Sequence, residues 1–392
     1  MKKFFTKVQP VQSGMYTKQS APEEQTPYRI HLRLQPDGSG VLVVNAATVL
    51  HLNPTAAECA YHFIKGTAPD KAAKEIASRY RINKKTALED YNDFAARIQR
   101  LMTATDLDPE SYLDFERVSP HSVELSAPLR LDCALTYRLP AGTQADYAPT
   151  KRVDRELSTD EWFSILDKAW QFGIPHVTFT GGEATLRDDL VDLIARAEKN
   201  GQVCGLLTDG MKLADKGYLE LLLKTGLDHI LFLLQPDSND SWKALETIIA
   251  EGVFVTVHLT VTKDNASKAM EVLERIRSLG VQSLSLTSAD SQLTVFDLQN
   301  KAASLGLTLK HDLPVPYSAN HPVALETAED NIPDGAGKTW MSNRMVMFFL
   351  LKVWLIKSLE TPCAIRGKRC TRNRMNDGIG YFDCIVKMDV SR

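Results

Sequence analysis

Cysteine is scarce in this chain: six occur in 392 residues, at 59, 133, 204, 363, 370 and 384. Cysteines so scattered make no disulfide framework and fit a reducing compartment. A membrane-spanning run is also lacking. The longest apolar stretch, 346–356, is about 11 residues, is interrupted by Lys352, and is too short to cross a bilayer. The first residues, MKKFFTKVQPVQSG, bring lysines but no apolar core of signal-peptide length, so a cytoplasmic location is expected. Charge of one sign is missing as well. Forty-six Lys and Arg stand against 49 Asp and Glu, a net −3, which points to neither nucleic acid nor an anionic membrane as partner.

What is present is a globular composition, 44% apolar, in a length that suits about two or three domains. Residues 1–27 are polar and expected to be a loose tail. In 28–103, YRIHLRL and GVLVVN flank the turn PDGSG and predict a hairpin over 28–45. Asn53-Pro54-Thr55 then starts a helix, and 70–80 and 84–101 are apolar on one face, predicting two more. A hairpin followed by three short helices is a winged-helix-like pattern, whose plain alternative is a structural cap. A linker rich in Asp, Ser and Pro follows at 104–128.

From 129 to 339 the rhythm is strand and helix in alternation. Strands are predicted at 129–135, 176–180, 203–208, 229–234, 254–262 and 283–287. Helices are predicted at 159–172, 188–200, 216–225, 241–250, 266–279 and 293–305, most with a glycine just past the end. Six apolar strands spaced by helices imply a parallel sheet. A closed barrel needs two more units, so a partial (β/α)6 TIM-like barrel is the expected α/β fold, preferred over a doubly wound sheet.

Function in such an array sits on the loops after the strand ends. The loop after the second strand reads Thr180-Gly181-Gly182-Glu183-Ala184. Two glycines admit a ligand close to the backbone, and the carboxylate beside them is suited to an ammonium group; a simple tight turn is the alternative.

This loop, in the setting VTFTGGEATLRDDL, resembles the Gly-Gly-Glu-Pro loop of radical S-adenosylmethionine (radical SAM) enzymes, with Ala184 in place of Pro. The next strand ends GLLTDG, similar to the family's Thr-Asn-Gly with Asp209 for Asn, and the stretch from Val255 to Val281 is similar to the family's fifth β/α unit. The resemblance covers about 129–310. It implies that Gly181, Gly182, Glu183 and Asp209 face the cofactor S-adenosylmethionine. The family's C-x-x-x-C-x-x-C motif, whose thiolates hold a 4Fe–4S cluster with one iron open to the cofactor, is matched by Cys133, Tyr137 and Pro140. One thiolate does not hold a cubane, and Cys133 is the single remnant, with buried packing its plainer role.

The N-terminal unit resembles the PqqD-like peptide-recognition domain, through LxxDGxGxLVVN, then TVLHLNPTAAE and helices ending DYNDFAARIQRL. The resemblance implies that a leader peptide or partner protein binds at 28–103 along a sheet edge. A DNA-binding winged helix is the competing idea, but the helix over 70–80 is not notably basic.

From Trp340 the character changes. Residues 340–392 hold ten Lys and Arg against four Asp and Glu, with five of the ten Met and three of the six Cys. Met and Trp have single codons. Read two bases later, Trp340-Met341 forces Asp and Met345-Val346 forces Gly, and the free wobble positions permit a text with Gly-x-Val-x-Pro and Gly-Asn elements. That text resembles the half-size auxiliary (twitch/SPASM-like) domain ending many radical SAM chains, so 340–392 is expected to be a frameshifted tail replacing it. The competing idea takes Cys363, Cys370 and Cys384 as auxiliary-cluster ligands.

The resulting expectation is a pseudoenzyme: a radical SAM fold, related to peptide-modifying maturases, that binds a peptide or partner without radical chemistry. The alternative is an active enzyme that modifies a ribosomally made peptide through a 4Fe–4S cluster and S-adenosylmethionine.

Overall fold

The computed structural model describes residues 11–21, 24, 26, 28–45, 48–104, 112, 127–136, 138–140, 155–288 and 295–310. Most of the expected linker 104–128, Tyr137, and the whole tail 340–392 with Cys363, Cys370 and Cys384 lie outside the described residues. The chain divides into two compact units near residue 126.

The first unit is a four-stranded antiparallel sheet in the order β1 (Gly14–Gln19), β2 (Arg29–Leu34), β3 (Gly40–Val44), β4 (Thr48–Leu52), with three helices, α1 (Pro54–Ile64), α2 (Pro69–Tyr80) and α3 (Lys84–Thr103). Asn53 caps α1, its Oδ1 accepting from the Ala56 N–H at 2.9 Å, and Pro54 takes the first helical position, as the sequence predicts. Sheet residues Ile30, Leu32, Leu42 and Val44 close over Ala57 and Ala60 of α1 and Ile98 and Met102 of α3, all buried. A side chain such as Leu32 contributes about 2 kcal/mol by leaving water.

Two of the strands depart from expectation. β1 falls inside the tail expected to be loose. Met15 and Tyr16 are neighbours, so its sequence shows no alternation; its order comes from pairing with β2. β4 follows a turn at Asn45, which takes a left-handed φ of 50° without being glycine, so no glycine marks the turn in the sequence. The Asn45 side chain holds that turn by donating to the Met102 carbonyl at 3.0 Å and accepting from the Arg29 N–H at 3.1 Å.

The second unit is a seven-stranded, all-parallel sheet: β5 (Arg130–Thr136), β6 (His176–Gly181), β7 (Val203–Thr208), β8 (His229–Leu233), β9 (Phe254–Val261), β10 (Ser283–Ser288) and β11 (Thr308–Lys310). The helices between them are α4 (Thr159–Gln171), α5 (Leu190–Asn200), α6 (Lys216–Thr225), α7 (Asn239–Ala250), α8 (Ala269–Ser278) and α9 (Phe296–Ser304). Six strands and six helices match the predicted set within a few residues; three-residue β11 is the addition. Spatial order equals chain order, so the sheet has no point where direction reverses, as a doubly wound sheet must. Right-handed crossovers that always advance the same way put every helix on one face, and the sheet curls as a partial barrel. Gly201, just past α5, takes φ 86° and donates to the Ala197 and Glu198 carbonyls, the left-handed cap its position predicts.

Alternation then gives the sheet two faces. Leu131, Cys133, Leu135, Val177, Phe179, Leu206 and Phe232 share the apolar face that meets the helices, and all are buried. The inner face carries Asp132, Thr178 and Thr180 on one wall, and Thr256, His258, Ser283 and Ser285 on the other. Leu207, Leu231 and Leu233 form a separate apolar cluster between them. Among the described residues, no helix is long and apolar enough to cross a membrane.

Candidate functional site

The site expected from the sequence lies where β5, β6 and β7 end. Strand β5 pairs with β6 through Cys133–Phe179 and Ala134–Thr180, then slips by one residue so that Thr136 meets Gly181. The slip brings backbones into contact. Gly181 has φ 143°, and a Cβ there would sit 2.4 Å from the Thr136 carbonyl oxygen. What crowds Gly181 is therefore the chain itself. The Gly182 N–H donates to the Thr136 carbonyl and the Glu183 N–H to the Arg138 carbonyl, both at 2.8 Å, sewing the loop to the segment after β5.

Glu183 was expected to offer its carboxylate to an ammonium group. It is 3% exposed, and its oxygens are committed within the protein. Oε1 accepts from the Thr185 N–H at 3.0 Å, from Thr185 Oγ1 at 2.7 Å and from Thr208 Oγ1 at 2.8 Å; Oε2 accepts from the Asp209 N–H at 2.9 Å. Thr208 has the parity of Leu206, so the carboxylate is drawn toward the helix side of the sheet. Burial, and after it the charge of Asp209, raise the Glu183 carboxyl to about 7. Asp209 is itself raised, first by burial; its Oδ1 accepts from the Met211 N–H at 2.9 Å. The structure thus brings Gly181, Gly182, Glu183 and Asp209 together, as a closed network joining two strand ends.

Cys133 stands apart from these four. It lies in the body of β5, three residues or about 10 Å before the strand end, on the apolar helix-facing side between Leu131 and Leu135. A cluster-binding loop follows its strand. No cysteine occurs between Cys133 and Cys204, so the segment after β5 holds no thiolate, and Pro140 has no donor atom to substitute. Tyr137 is outside the described residues. Among the described residues no group of three His, Cys, Asp or Glu is arranged to hold a metal. The described residues, with no cysteine in the segment after β5, do not fit a 4Fe–4S cluster.

Sequence reasoning missed Arg187. It is buried and makes a two-pronged pair with Asp189, Nε to Oδ1 at 2.7 Å and Nη2 to Oδ2 at 2.6 Å. Its Nη1 donates at 3.0 Å to the carbonyls of both Leu135 and Leu157. Thr136 donates to Glu156 beside it, and Thr159 Oγ1 to Asp189 Oδ2 at 2.6 Å. The chain before and after residues 137–154 is thereby pinned together at the mouth of the strands. The only sequence trace is the Arg-x-Asp spacing in TLRDD. His258 was missed as well. Its Nδ1 pairs with Ser285 Oγ, and its Nε2 with Thr260 and Thr287 hydroxyls, each at 3.1 Å; burial pushes it down to about 3, so it is neutral.

Compared with known families, residues 133–289 match the Radical SAM superfamily. Among curated proteins, a PqqA peptide cyclase of Gluconobacter oxydans is 30% identical over 196 residues, covering 46% of this chain and 54% of the relative. A PqqA peptide cyclase of Granulibacter bethesdensis is 29% identical over 174 residues, covering 40% and 46%. The chain spans about half the length of the curated relatives it matches. Among solved structures, Streptococcus suis SuiB bound to the precursor peptide SuiA aligns at 15% identity and a TM-score of 0.48, over 70% of this chain and 67% of that one.

Proposed function

We propose, from the premise that residues 133–289 are a radical SAM superfamily domain, that this chain is a pseudoenzyme related to peptide-modifying maturases, which binds a peptide or partner protein without radical chemistry. The observation that carries the reading is the thiolate-free segment after β5, with Cys133 turned into the apolar helix-facing layer. Without soft anionic ligands a cubane has no anchor, and without the cluster nothing delivers an electron to S-adenosylmethionine. The peptide as partner is supported by the relatives' names and by the antiparallel sheet of the first unit, which the sequence likens to a PqqD-like domain and which ends in two edge strands, β1 and β4.

The test is anaerobic reconstitution of the full chain with iron and sulfide. After desalting, iron is expected well below one atom per chain. Near-stoichiometric iron and sulfide with absorbance near ~400 nm, a generic cluster signature, would overturn the reading. That outcome would favour the second one, an active enzyme with a 4Fe–4S cluster modifying a ribosomally made peptide, which the similarity to PqqA peptide cyclases supports.

A further inference from the structure

We infer that the outer edge of β2 is a gated receptor for an extended segment of the form aromatic-x-Lys/Arg, and that β1 is its resident, exchangeable copy. The inference deepens the peptide-binding reading above and rests on it only for the partner supplied in trans.

β1 lies antiparallel on β2 through six paired positions, Gly14 opposite Leu34 to Gln19 opposite Arg29. Yet none of its residues is buried, whereas every residue of β2 after Arg29 and every residue of β3 is. A strand held by backbone ladder and little apolar burial belongs to the part of a domain that opens first. Side-chain chemistry gives β1 its place. Alternation directs Tyr16 and Lys18 to one side of the strand, where α1 presents Tyr61 and Phe63 and its C-cap presents Lys65. The Tyr16 ring meets Tyr61 edge-on, centroids 4.9 Å apart at 84°. Lys65 Nζ stands 5.3 Å from the Tyr16 ring, and Lys18 Nζ stands 4.9 Å from the Phe63 ring. The contact is reciprocal: the strand's aromatic ring takes a cation from the helix, and the helix's aromatic ring takes a cation from the strand.

Opening β1 leaves a row of unpaired β2 backbone groups beside an aromatic pocket and a lysine. Any extended chain can satisfy the first, but only an aromatic side chain followed two residues later by Lys or Arg satisfies the rest. Residues Tyr16-Thr17-Lys18 have that form. A partner peptide with it would enter β1's place with β1's register.

The experiment uses the full chain and a synthetic peptide of residues 12–20, QSGMYTKQS. Hydrogen exchange of the unmodified chain comes first: β1 amides are expected to exchange at least tenfold faster than those of β3. The peptide is then added to the unmodified chain and to the double variant Tyr16→Ala, Lys18→Glu. Binding at least tenfold tighter to the variant is expected, with new protection in β2 and none for a peptide carrying the same two changes. Equal binding to both chains would overturn the gate, as would β1 exchange as slow as that of β3. Protection in β4 instead of β2 would leave peptide binding by this unit standing and overturn the β2 receptor. Should the variant not fold, exchange in the unmodified chain still decides whether β1 opens first.

Discussion

Glu183 Oε1 accepts a hydrogen bond from Thr208 Oγ1 at 2.8 Å, although 25 residues separate them in the chain. With the Asp209 N–H on Oε2, the contact ties the ends of β6 and β7 together. The loop that resembles a cofactor grip thus also joins two strand ends.

The Glu183 carboxyl is raised from 4.5 to about 7, chiefly by burial. A carboxyl raised on folding stabilises the protein in its protonated form. That contribution is full below pH 4.5 and is lost as pH rises through about 7. Glu183→Gln removes the titration and puts an NH2 group against donors, costing about 1–3 kcal/mol. The variant is expected to be less stable than the parent at pH 5, by a margin that shrinks by pH 8. Urea midpoints at the two pH values measure it; a margin unchanged or wider at pH 8 contradicts a carboxyl raised by burial.

Gly181→Ala tests whether the first loop glycine serves the chain or a ligand. At φ 143°, with the Thr136 carbonyl 2.4 Å from the new Cβ, the substitution strains the backbone with no ligand present. A loss of about 2 kcal/mol or more in the ligand-free protein is expected. Stability equal to the parent would return this glycine to a purely ligand-facing role.

Arg187→Ala should be among the most damaging changes in the second unit. It leaves Asp189 without its pair and the carbonyls of Leu135 and Leu157 without their donor. Breaking a fully buried pair costs about 3–5 kcal/mol; with Asp189 half-buried the loss is expected at about 2–3 kcal/mol, and Arg187→Lys should recover only a minor part, since a single ammonium cannot make the fork. Chemical denaturation supplies the number; a loss under ~1 kcal/mol would class the pair with exposed ones.

The alternation of apolar strands and helices made the second unit legible, because strands β5 to β9 are buried on both faces and each helix carries one apolar stripe. β11 was not legible, since its three residues are too few for a pattern. Nor was β4, whose turn depends on Asn45 reaching Met102, 57 residues away. The Gly-Gly-Glu loop could be found from sequence, but not what its carboxylate does. All four donors to Glu183 are backbone or hydroxyl groups brought near by strand pairing or a local turn, and Asp209 is recognisable only as a motif letter. Cys133 is the instructive case: Leu131-x-Cys133-x-Leu135 alternates, which sets all three on one face, while the motif spacing offered it as a cluster remnant beside that plainer packing role.

Cys133 therefore carries the last test. As a packing residue at 2% exposure in the helix-facing layer, it should respond to substitution as other small apolar residues do. Cys133→Ala removes one buried heavy atom and is expected to cost about 1 kcal/mol, in the range of Ile→Val changes. The cost should be the same whether the protein is prepared with or without iron and sulfide, because the thiol faces Leu131 and Leu135's side of the sheet and not the segment after β5. A cluster ligand behaves differently: its loss abolishes iron retention, and the stability difference between the two preparations disappears with it. Iron analysis and urea midpoints on parent and variant, each in both preparations, separate the cases. Equal, low iron in all four samples with a constant stability gap is the expected result, and iron that depends on Cys133 would restore it as a ligand.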